Sequence, residues 1–278
     1  MEVENGSGEG RLVDELGSSP EDKFRVDDAT MKQKAQIEEE IKQRQPLVGQ
    51  RESLESVVAE YSREASPEFY HKAADLSSSY SSIRRVRGDG NCFYRALLFA
   101  ELEYMLTRDQ DEAKRFSKVT KCWRERLLKL GFPDFTTNDF CDWFDELTGD
   151  IESGKLTLEE ITARINDEGP SNFYVTFMRM VTSGYLQENA EEFQPFIADD
   201  RSVREFCQIE VDPMFKEVDH LCIHALTKAL EIAIRIEYMD RTQAPSGGWH
   251  HDFAAEHSSP HLIFLYRPGH YDILYSNL

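Results

Sequence analysis

The sequence has no long hydrophobic run and no surplus of basic residues. No stretch approaches the roughly 18 consecutive apolar residues of a membrane-spanning helix, so we expect no membrane segment. The 52 acidic residues outnumber the 32 basic ones, which gives a formal charge of −20 at pH 7. Nucleic acids and anionic membranes require a basic surface, so this charge argues against both as partners. It suits a basic protein partner, and it would equally promote solubility.

Close cysteine pairs are also absent. The chain has five cysteines, and no two of them form a Cys-x-x-Cys pair: Cys92, Cys122, Cys141, Cys207 and Cys222. This odd, scattered set predicts free thiols in a reducing compartment. The first residues are acidic and polar, so we expect neither a secretory nor an organellar leader. These features predict a cytoplasmic protein and leave entry into the nucleus open.

The clearest chemical signal is the octet at residues 88–95, which reads GDGNCFYR. Two glycines, an Asp and an Asn form a turn signal, and an apolar run starts after Cys92. Turn residues before such a run predict a helix that begins next to this cysteine. Helix N-termini favour negative charge, so the thiol should ionise more readily than that of a free cysteine. The same N–H groups could hold an oxyanion, although a buried core cysteine is the commoner alternative.

A candidate base lies near the C-terminus. Two β-rich runs flank a turn at Pro268 and Gly269, and His270 and Asp272 follow two residues apart. Alternate side chains of a strand share a face, so Asp272 can orient the His270 ring towards a thiol. Taken alone, the pair could equally be solvated residues beside a turn. Together with Cys92, it predicts a Cys-His-Asp catalytic arrangement.

These two motifs resemble those of the ovarian-tumour (OTU) cysteine proteases, and within them the otubains. Further segments resemble otubains in the same order along the chain. They are residues 41–48 (IKQRQPLV), 182–187 (TSGYLQ), 203–207 (VREFC), 210–214 (EVDPM) and 237–241 (EYMDR). The likeness extends over roughly residues 30–278, and several ordered segments are far more specific than one nucleophile motif.

The resemblance implies a deubiquitinating enzyme that cleaves the isopeptide bond between a ubiquitin C-terminus and a lysine. Carried over by motif, Cys92 is the nucleophile, His270 the general base and acid, and Asp272 the residue that orients it. Asp89 occupies the family's other acidic position, in the loop that builds the oxyanion hole. The alternative for Asp89 is that it only caps the helix. This chemistry requires neither a cofactor nor a metal.

The resemblance also implies partners and contacts. Ubiquitin and polyubiquitin chains are the expected partners, with a preference for the lysine linkage that targets proteins to the proteasome. The basic and apolar recognition surface of ubiquitin matches the acidic charge of the chain. Expected ubiquitin contacts are His224, Tyr238, Asp240, Tyr266 and Tyr271. The alternative function is a non-catalytic regulator that binds ubiquitin-conjugating enzymes and blocks ubiquitin transfer.

The order of the patterns predicts an α+β fold, with helices first and strands late. We expect a disordered acidic tail at 1–30, a helical arm at 31–50 that Pro46 ends, and a catalytic domain at 51–278. Residues 51–83 look helical and amphipathic, and strands are expected at 232–238, 261–267 and 270–275. The resemblance implies a papain-like OTU core, in which a small central sheet is packed between helical layers.

Two histidine-containing segments allow other interpretations. His220, Cys222 and His224 could be metal ligands, but on a helix Cys222 points away from the two histidines, so zinc is disfavoured. Residues 242–261 are rich in histidine, which suggests metal binding or pH sensing. Their irregular spacing and two prolines instead favour a mobile surface loop.

Overall fold

A computed structural model describes residues 44–198, 200–241, 249–254 and 259–277, together with Gln33. The chain divides into two compact units, Met1–Arg44 and Gln45–Leu278, and the second contains every feature described below. The predicted tail at 1–30 and the helix of the predicted arm lie almost wholly outside the described residues. No helix in the described part of the chain is both long and apolar enough to cross a membrane.

A six-stranded sheet forms the centre of the second unit. Its strands are β1 (Val48–Ser53), β2 (Tyr80–Val86), β3 (Ile234–Tyr238), β4 (Trp249–Phe253), β5 (Leu262–Arg267) and β6 (His270–Ser276). Their order across the sheet is β1-β2-β6-β5-β3-β4, in which β3 and β5 are parallel and every other pair is antiparallel. The C-terminal strand β6 therefore lies in the middle of the sheet, next to a strand from the N-terminal half.

The described residues form ten α-helices. They are α1 (Glu55–Ala59), α2 (Pro67–Ser79), α3 (Cys92–Thr107), α4 (Gln110–Lys129), α5 (Asp134–Glu152), α6 (Leu158–Asn166), α7 (Glu168–Glu188), α8 (Ala190–Phe193), α9 (Val203–Phe206) and α10 (His220–Leu230). A short 3₁₀ turn covers Gln194–Phe196, and a π-helical turn covers Cys207–Val211. Residues 108 and 109 separate α3 from α4.

Helix α3 is buried on all sides, which explains why its apolar residues follow no single stripe. It packs between the sheet and the helices α4–α7, and Phe93 lies 5.2 Å from Tyr271 and 6.0 Å from Phe264 between ring centroids. A helix that is hydrophobic all round belongs in a core. A separate cluster around α1 and α2, with Leu54 just before α1 and Leu76 in α2, covers other residues of the sheet. The predicted α+β fold, with a sheet between helical layers, is confirmed.

Two local predictions were wrong. Residues 51–83 are not continuously helical, because β1 ends at Ser53 and β2 starts at Tyr80. Five of the seven β2 residues are buried, so this central strand lacks the alternating pattern that would reveal a strand. Part of the predicted loop at 242–261 is the edge strand β4, where only Phe253 is buried. Pairing with β3 and an ion pair between Arg235 and Asp252 stabilise that polar strand.

Candidate active site

Cys92 is the first residue of α3, as the octet predicts. Asn91 precedes it as the N-cap residue, but its side chain makes no capping hydrogen bond to the helix. The first-turn N–H groups of α3 therefore have no side-chain cap from Asn91. A helix N-terminus of this kind stabilises negative charge, either on a thiolate or on an oxyanion.

The turn before Cys92 is fixed by its contact with the segment 211–216. Gly90 has φ +75°, and a Cβ atom there would lie 2.3 Å from the carbonyl oxygen of Phe215. Asn91 uses its side-chain oxygen to accept hydrogen bonds from the Phe215 N–H at 3.0 Å and from Arg179 at 2.8 Å. Only glycine allows both the left-handed backbone and this close approach. The loop is therefore shaped by tertiary contacts as well as by its turn residues.

His270 and Asp272 share one face of β6, as strand alternation predicts. The His270 Nε2 atom lies 3.0 Å from Asp272 Oδ1. Asp272 is completely buried, and it also accepts hydrogen bonds from the Val86 N–H at 2.9 Å and from Arg267 at 2.6 Å. Burial alone would raise the pKa of Asp272, but these partners, His270 first, lower it below its usual value. The carboxylate thus stays charged beside the imidazole.

The other side of the His270 ring faces Cys92 and the turn. A Cβ atom on Gly88 would lie 3.3 Å from His270 Nδ1, so glycine lets the turn approach the ring. Burial lowers the pKa of His270, but the hydrogen bond to Asp272, the neighbouring Cys92 and the charges of both residues outweigh burial. The pKa rises to about 10. The imidazole is therefore protonated at neutral pH, next to the sulfur that it would activate.

Asp89 lies in the turn but does not cap α3. Its carboxylate accepts a hydrogen bond from the Asn91 N–H at 2.9 Å and forms an ion pair with Arg95 at 2.9 Å. Arg95 is fully buried in α3 and also donates to Ser171 at 3.2 Å. The helix-capping alternative is therefore not observed. Asp89 instead ties the backbone of the turn to the helix that carries the nucleophile.

The expected ubiquitin-contact residues fall into separate places. Tyr238, Tyr266 and Tyr271 form one aromatic row, with neighbouring ring centroids 5.3 Å and 5.1 Å apart. Tyr238 and Tyr271 are mostly buried, whereas Tyr266 is half-buried. Asp240 pairs with Lys72 at 3.2 Å. His224 is half-buried between Phe193 and Phe253, and burial lowers its pKa.

The possible zinc set on α10 does not share one face. Cys222 is buried, with an exposed fraction of only 3%, whereas His220 is exposed at the start of the helix. His220 instead contacts Tyr238, whose hydroxyl lies 2.8 Å from its Nε2 atom. The disfavoured reading of this segment as a metal site thus finds no support in the position of Cys222.

Sequence reasoning missed two arginines that shape the site. Arg267 links Asp272 to Glu60, with a 2.7 Å contact to the latter. Arg179 on α7 is buried and binds Asn91. A buried arginine such as Arg179 has no periodic signal of its own, and its partner Asn91 lies 88 positions away along the chain. In the sequence, the position of Arg267 next to the Pro268–Gly269 turn was the one feature that could have indicated its role in the site.

The arrangement is suited to acyl transfer by a thiol. It combines a nucleophile at an uncapped helix N-terminus, a protonated imidazole beside it and a buried carboxylate behind the imidazole. The thiolate can attack a carbonyl carbon, the helix N–H groups can bind the resulting oxyanion, and the imidazolium can protonate a leaving amine. These steps use only side chains and backbone groups of the chain itself.

Known proteins share both the sequence and the fold. The chain is 45% identical over 232 residues to a ubiquitin thioesterase otubain-like protein of Caenorhabditis elegans, covering 83% of this chain and 81% of that protein. It is 42% identical over 249 residues to ubiquitin thioesterase OTUB1 of Homo sapiens, covering 90% of each chain.

Solved structures give the same result. The fold matches the otubain chain in a complex described as h/ceOTUB1–ubiquitin aldehyde–UBCH5B~Ub, with a TM-score of 0.86 and 44% identity. The match covers 92% of this chain and 100% of that one. The protein family described as Peptidase C65 Otubain matches residues 40–276. With its nucleophile motif, fold and sequence in agreement, the chain belongs to the otubain family of peptidases.

Proposed function

We propose that this protein is a deubiquitinating cysteine protease that hydrolyses isopeptide bonds in ubiquitin chains. The observation that carries the proposal is the position of Cys92 at an uncapped helix start, against a His270 ring that a buried Asp272 holds from behind. Family membership and the names of the relatives, which are ubiquitin thioesterases, support ubiquitin as the substrate.

In the proposed reaction, the Cys92 thiolate attacks the carbonyl carbon of the ubiquitin terminal glycine. The N–H groups of the α3 start stabilise the oxyanion, and His270 protonates the lysine amine as the C–N bond breaks. Water, deprotonated by His270, then attacks the thioester and releases ubiquitin with a free carboxylate. Asp272 keeps the ring oriented and its charge stabilised throughout, and Asp89 holds the turn that shapes the oxyanion site.

We further propose that the enzyme prefers the lysine linkage that marks proteins for the proteasome. Such a preference arises when two bound ubiquitins can place only one ubiquitin lysine at the thiol. We place the ubiquitin tail along the aromatic row of Tyr238, Tyr266 and Tyr271, and we assign Asp240 and His224 to the surface that binds the ubiquitin body. The row of rings, in which Tyr266 lies 5.3 Å from Tyr238 and 5.1 Å from Tyr271 between centroids, supports the first assignment.

A panel of all di-ubiquitin linkages tests this function. We expect the wild-type chain to release mono-ubiquitin from one linkage at least tenfold faster than from the others, and Cys92→Ala to release none. Cys122→Ala is a matched control, because this cysteine is exposed on α4, and it should leave the rate unchanged. Cleavage by Cys92→Ala, or equal loss of cleavage in both variants, would contradict the proposed nucleophile.

We also propose that the protein binds ubiquitin-conjugating enzymes. The support is that similar solved structures are complexes with UBCH5B~Ub and UBC13~Ub. A purely non-catalytic role is less well supported, since it leaves the Cys92, His270 and Asp272 arrangement without a use. Inhibition of ubiquitin transfer by Cys92→Ser, which should not cleave chains, tests this binding. Deletion of residues 1–45 should abolish inhibition if the N-terminal arm contributes to it.

A further inference from the structure

A second cluster of ionisable side chains lies away from the thiol. Glu101 of α3, Glu112 of α4 and His261, just before β5, bring one donor atom each to within 4.8 Å of the other two. His261 Nε2 lies 3.0 Å from Glu101 Oε2. None of these residues takes part in the proposed hydrolysis. No sequence pattern indicates the cluster, because Glu101 and His261 are separated by 160 positions.

The buried carboxylate of Glu101 is incompletely satisfied. The residue has no exposed surface, and its Oε1 atom has no hydrogen-bond partner among the described residues. Burial raises the pKa of Glu101, while its contact with His261 opposes this change. A buried carboxylate oxygen without a donor is costly, so a positively charged or proton-bearing group should occupy the space that it faces.

Arg115 is the cationic side chain that pairs with Glu112, and it is already shared with other acceptors. Arg115 contacts Glu112 through its Nε atom at 2.7 Å, donates to the Leu230 carbonyl oxygen at 3.1 Å and lies 3.6 Å from Glu231. It therefore faces Glu112 and Glu231 rather than Glu101. Among the described residues, no positively charged side chain reaches the Glu101 Oε1 atom.

The donor set and its access also fit a metal ion. One imidazole nitrogen with two carboxylate oxygens is a set that zinc and related first-row ions bind in proteins. Two donors bonded to one such ion are separated by about 3–3.5 Å, and the 3.0 Å between His261 and Glu101 is near that range. Glu112 and His261 line a cavity of about 310 Å³, which provides an entry route.

We propose that Glu101, Glu112 and His261 form a structural binding site for one divalent transition-metal ion, with Zn²⁺ as the best-matched ion. The site joins α3, which begins at Cys92, to α4 and to the start of β5, which leads to the His270 turn. A bound ion would therefore stabilise the elements that carry both halves of the thiol–imidazole pair. It acts on stability, and hydrolysis needs no step through it.

Zn²⁺ titration of the full chain tests the site. The Cys92→Ser protein is used so that the thiol beside His270 does not bind the ion. After removal of metals with a chelator, we expect one Zn²⁺ per chain by calorimetry and a rise in Tm on the order of 5 °C at saturation. Glu112→Gln and His261→Asn should each weaken binding at least tenfold. Glu125→Gln, an exposed change on the same helix, should not.

Three results would overturn the proposal. They are the absence of saturable Zn²⁺ binding, unchanged binding in Glu112→Gln and His261→Asn, and a Tm that Zn²⁺ does not raise. If Glu101→Gln stabilises the chain and no ion binds, a shared proton or a water fills the space instead. If the variants unfold, NMR spectra of the Co²⁺-loaded Cys92→Ser protein show instead where the ion binds. Paramagnetic broadening must be greatest at the His261 ring, and broadening centred on His250 or His251 would contradict the site.

Discussion

At the scale of single residues, the charge of His270 depends on a carboxylate that solvent does not reach. Asp272 receives hydrogen bonds from a backbone N–H and from Arg267, and these keep it ionised despite its burial. Its negative charge and hydrogen bond then hold a proton on the ring up to a pH of about 10. The same geometry predicts how activity should respond to pH.

Asp272→Asn should shift the alkaline limit of activity. In the wild type, kcat/KM should fall as the pH rises through about 10, where His270 loses the proton that it gives to the leaving amine. Without the carboxylate, burial still lowers the pKa of His270, so the limit should move towards 6.5, its usual value. We expect kcat/KM at pH 7.5 to fall about 10²–10⁴-fold.

A pH–rate profile on a ubiquitin substrate measures this limit. Asp252→Asn is the control, because Asp252 pairs with Arg235 on the edge strand, far from the imidazole in the sheet order. The assignment of Asp272 would be wrong if both variants kept the wild-type alkaline limit. It would also be wrong if Asp272→Asn lost activity without any change in that limit.

Gly90→Ala should damage both folding and activity. Gly90 has φ +75°, and the added methyl group would lie 2.3 Å from the Phe215 carbonyl oxygen, so the turn must move. Gly131→Ala is a matched control, since Gly131 has φ +87° but no atom within 4 Å of the added group. Urea unfolding should show a loss of about 1 kcal/mol for Gly131→Ala and about 2–4 kcal/mol for Gly90→Ala. Equal losses would show that the clash with Phe215 is relieved easily.

At the scale of elements, one side chain connects α7 to two segments of the active site. Arg179 donates to Asn91 Oδ1 at 2.8 Å and to the Gly90 carbonyl oxygen at 3.0 Å in the turn before Cys92. It also donates to the carbonyl oxygens of Val211 at 2.9 Å and Lys216 at 2.6 Å. Four acceptors from two segments require the planar fork of arginine, which a lysine cannot replace.

Arg179→Lys should therefore loosen the turn before Cys92. We expect a loss of about 2–4 kcal/mol in the free energy of unfolding and a lower kcat, because buried carbonyl groups lose their donors. Hydrogen exchange should become faster at residues 211–216. Arg164→Lys, at a half-exposed pair with Asp150, should change stability by no more than about 0.5 kcal/mol. Unchanged exchange at 211–216 in Arg179→Lys would contradict the linking role.

At the scale of the whole molecule, net charge is the dominant property. A charge of −20 repels anionic partners and attracts a basic one over several ångströms, and salt screens this attraction. The reaction of Cys92 with a small, neutral reagent does not depend on that long-range field. Comparing how salt changes this reaction and the cleavage of di-ubiquitin therefore separates recognition of a protein partner from reactivity of the thiol.

Salt should weaken ubiquitin processing without changing the thiol. We expect kcat/KM for di-ubiquitin to fall several-fold as NaCl rises from about 50 to about 500 mM, mainly through KM. The rate of Cys92 alkylation by iodoacetamide, which is uncharged, should stay nearly constant and serves as the control. If both rates fall together, salt acts on the active site or on folding. If neither falls, the acidic charge serves solubility alone.

Local sequence patterns were enough to predict the local geometry of the candidate site. Turn residues before an apolar run placed Cys92 at a helix start, and alternation along a strand put His270 and Asp272 on one face. Both inferences hold because turns, helix starts and strand alternation depend on neighbours within a few residues. The strands β3, β5 and β6 were predicted for the same reason.

Tertiary structure alone decided which distant groups meet. The central position of β6 next to β2 brings the Val86 N–H to Asp272, and α7 brings Arg179 to the turn before Cys92. Burial on both faces also removed the alternation that would have identified β2 from its sequence. The contact between Glu101 and His261 likewise depends on tertiary packing, because 160 positions separate the two residues. Strand order and helix packing set such distances, and no period of 2 or 3.6 residues encodes them.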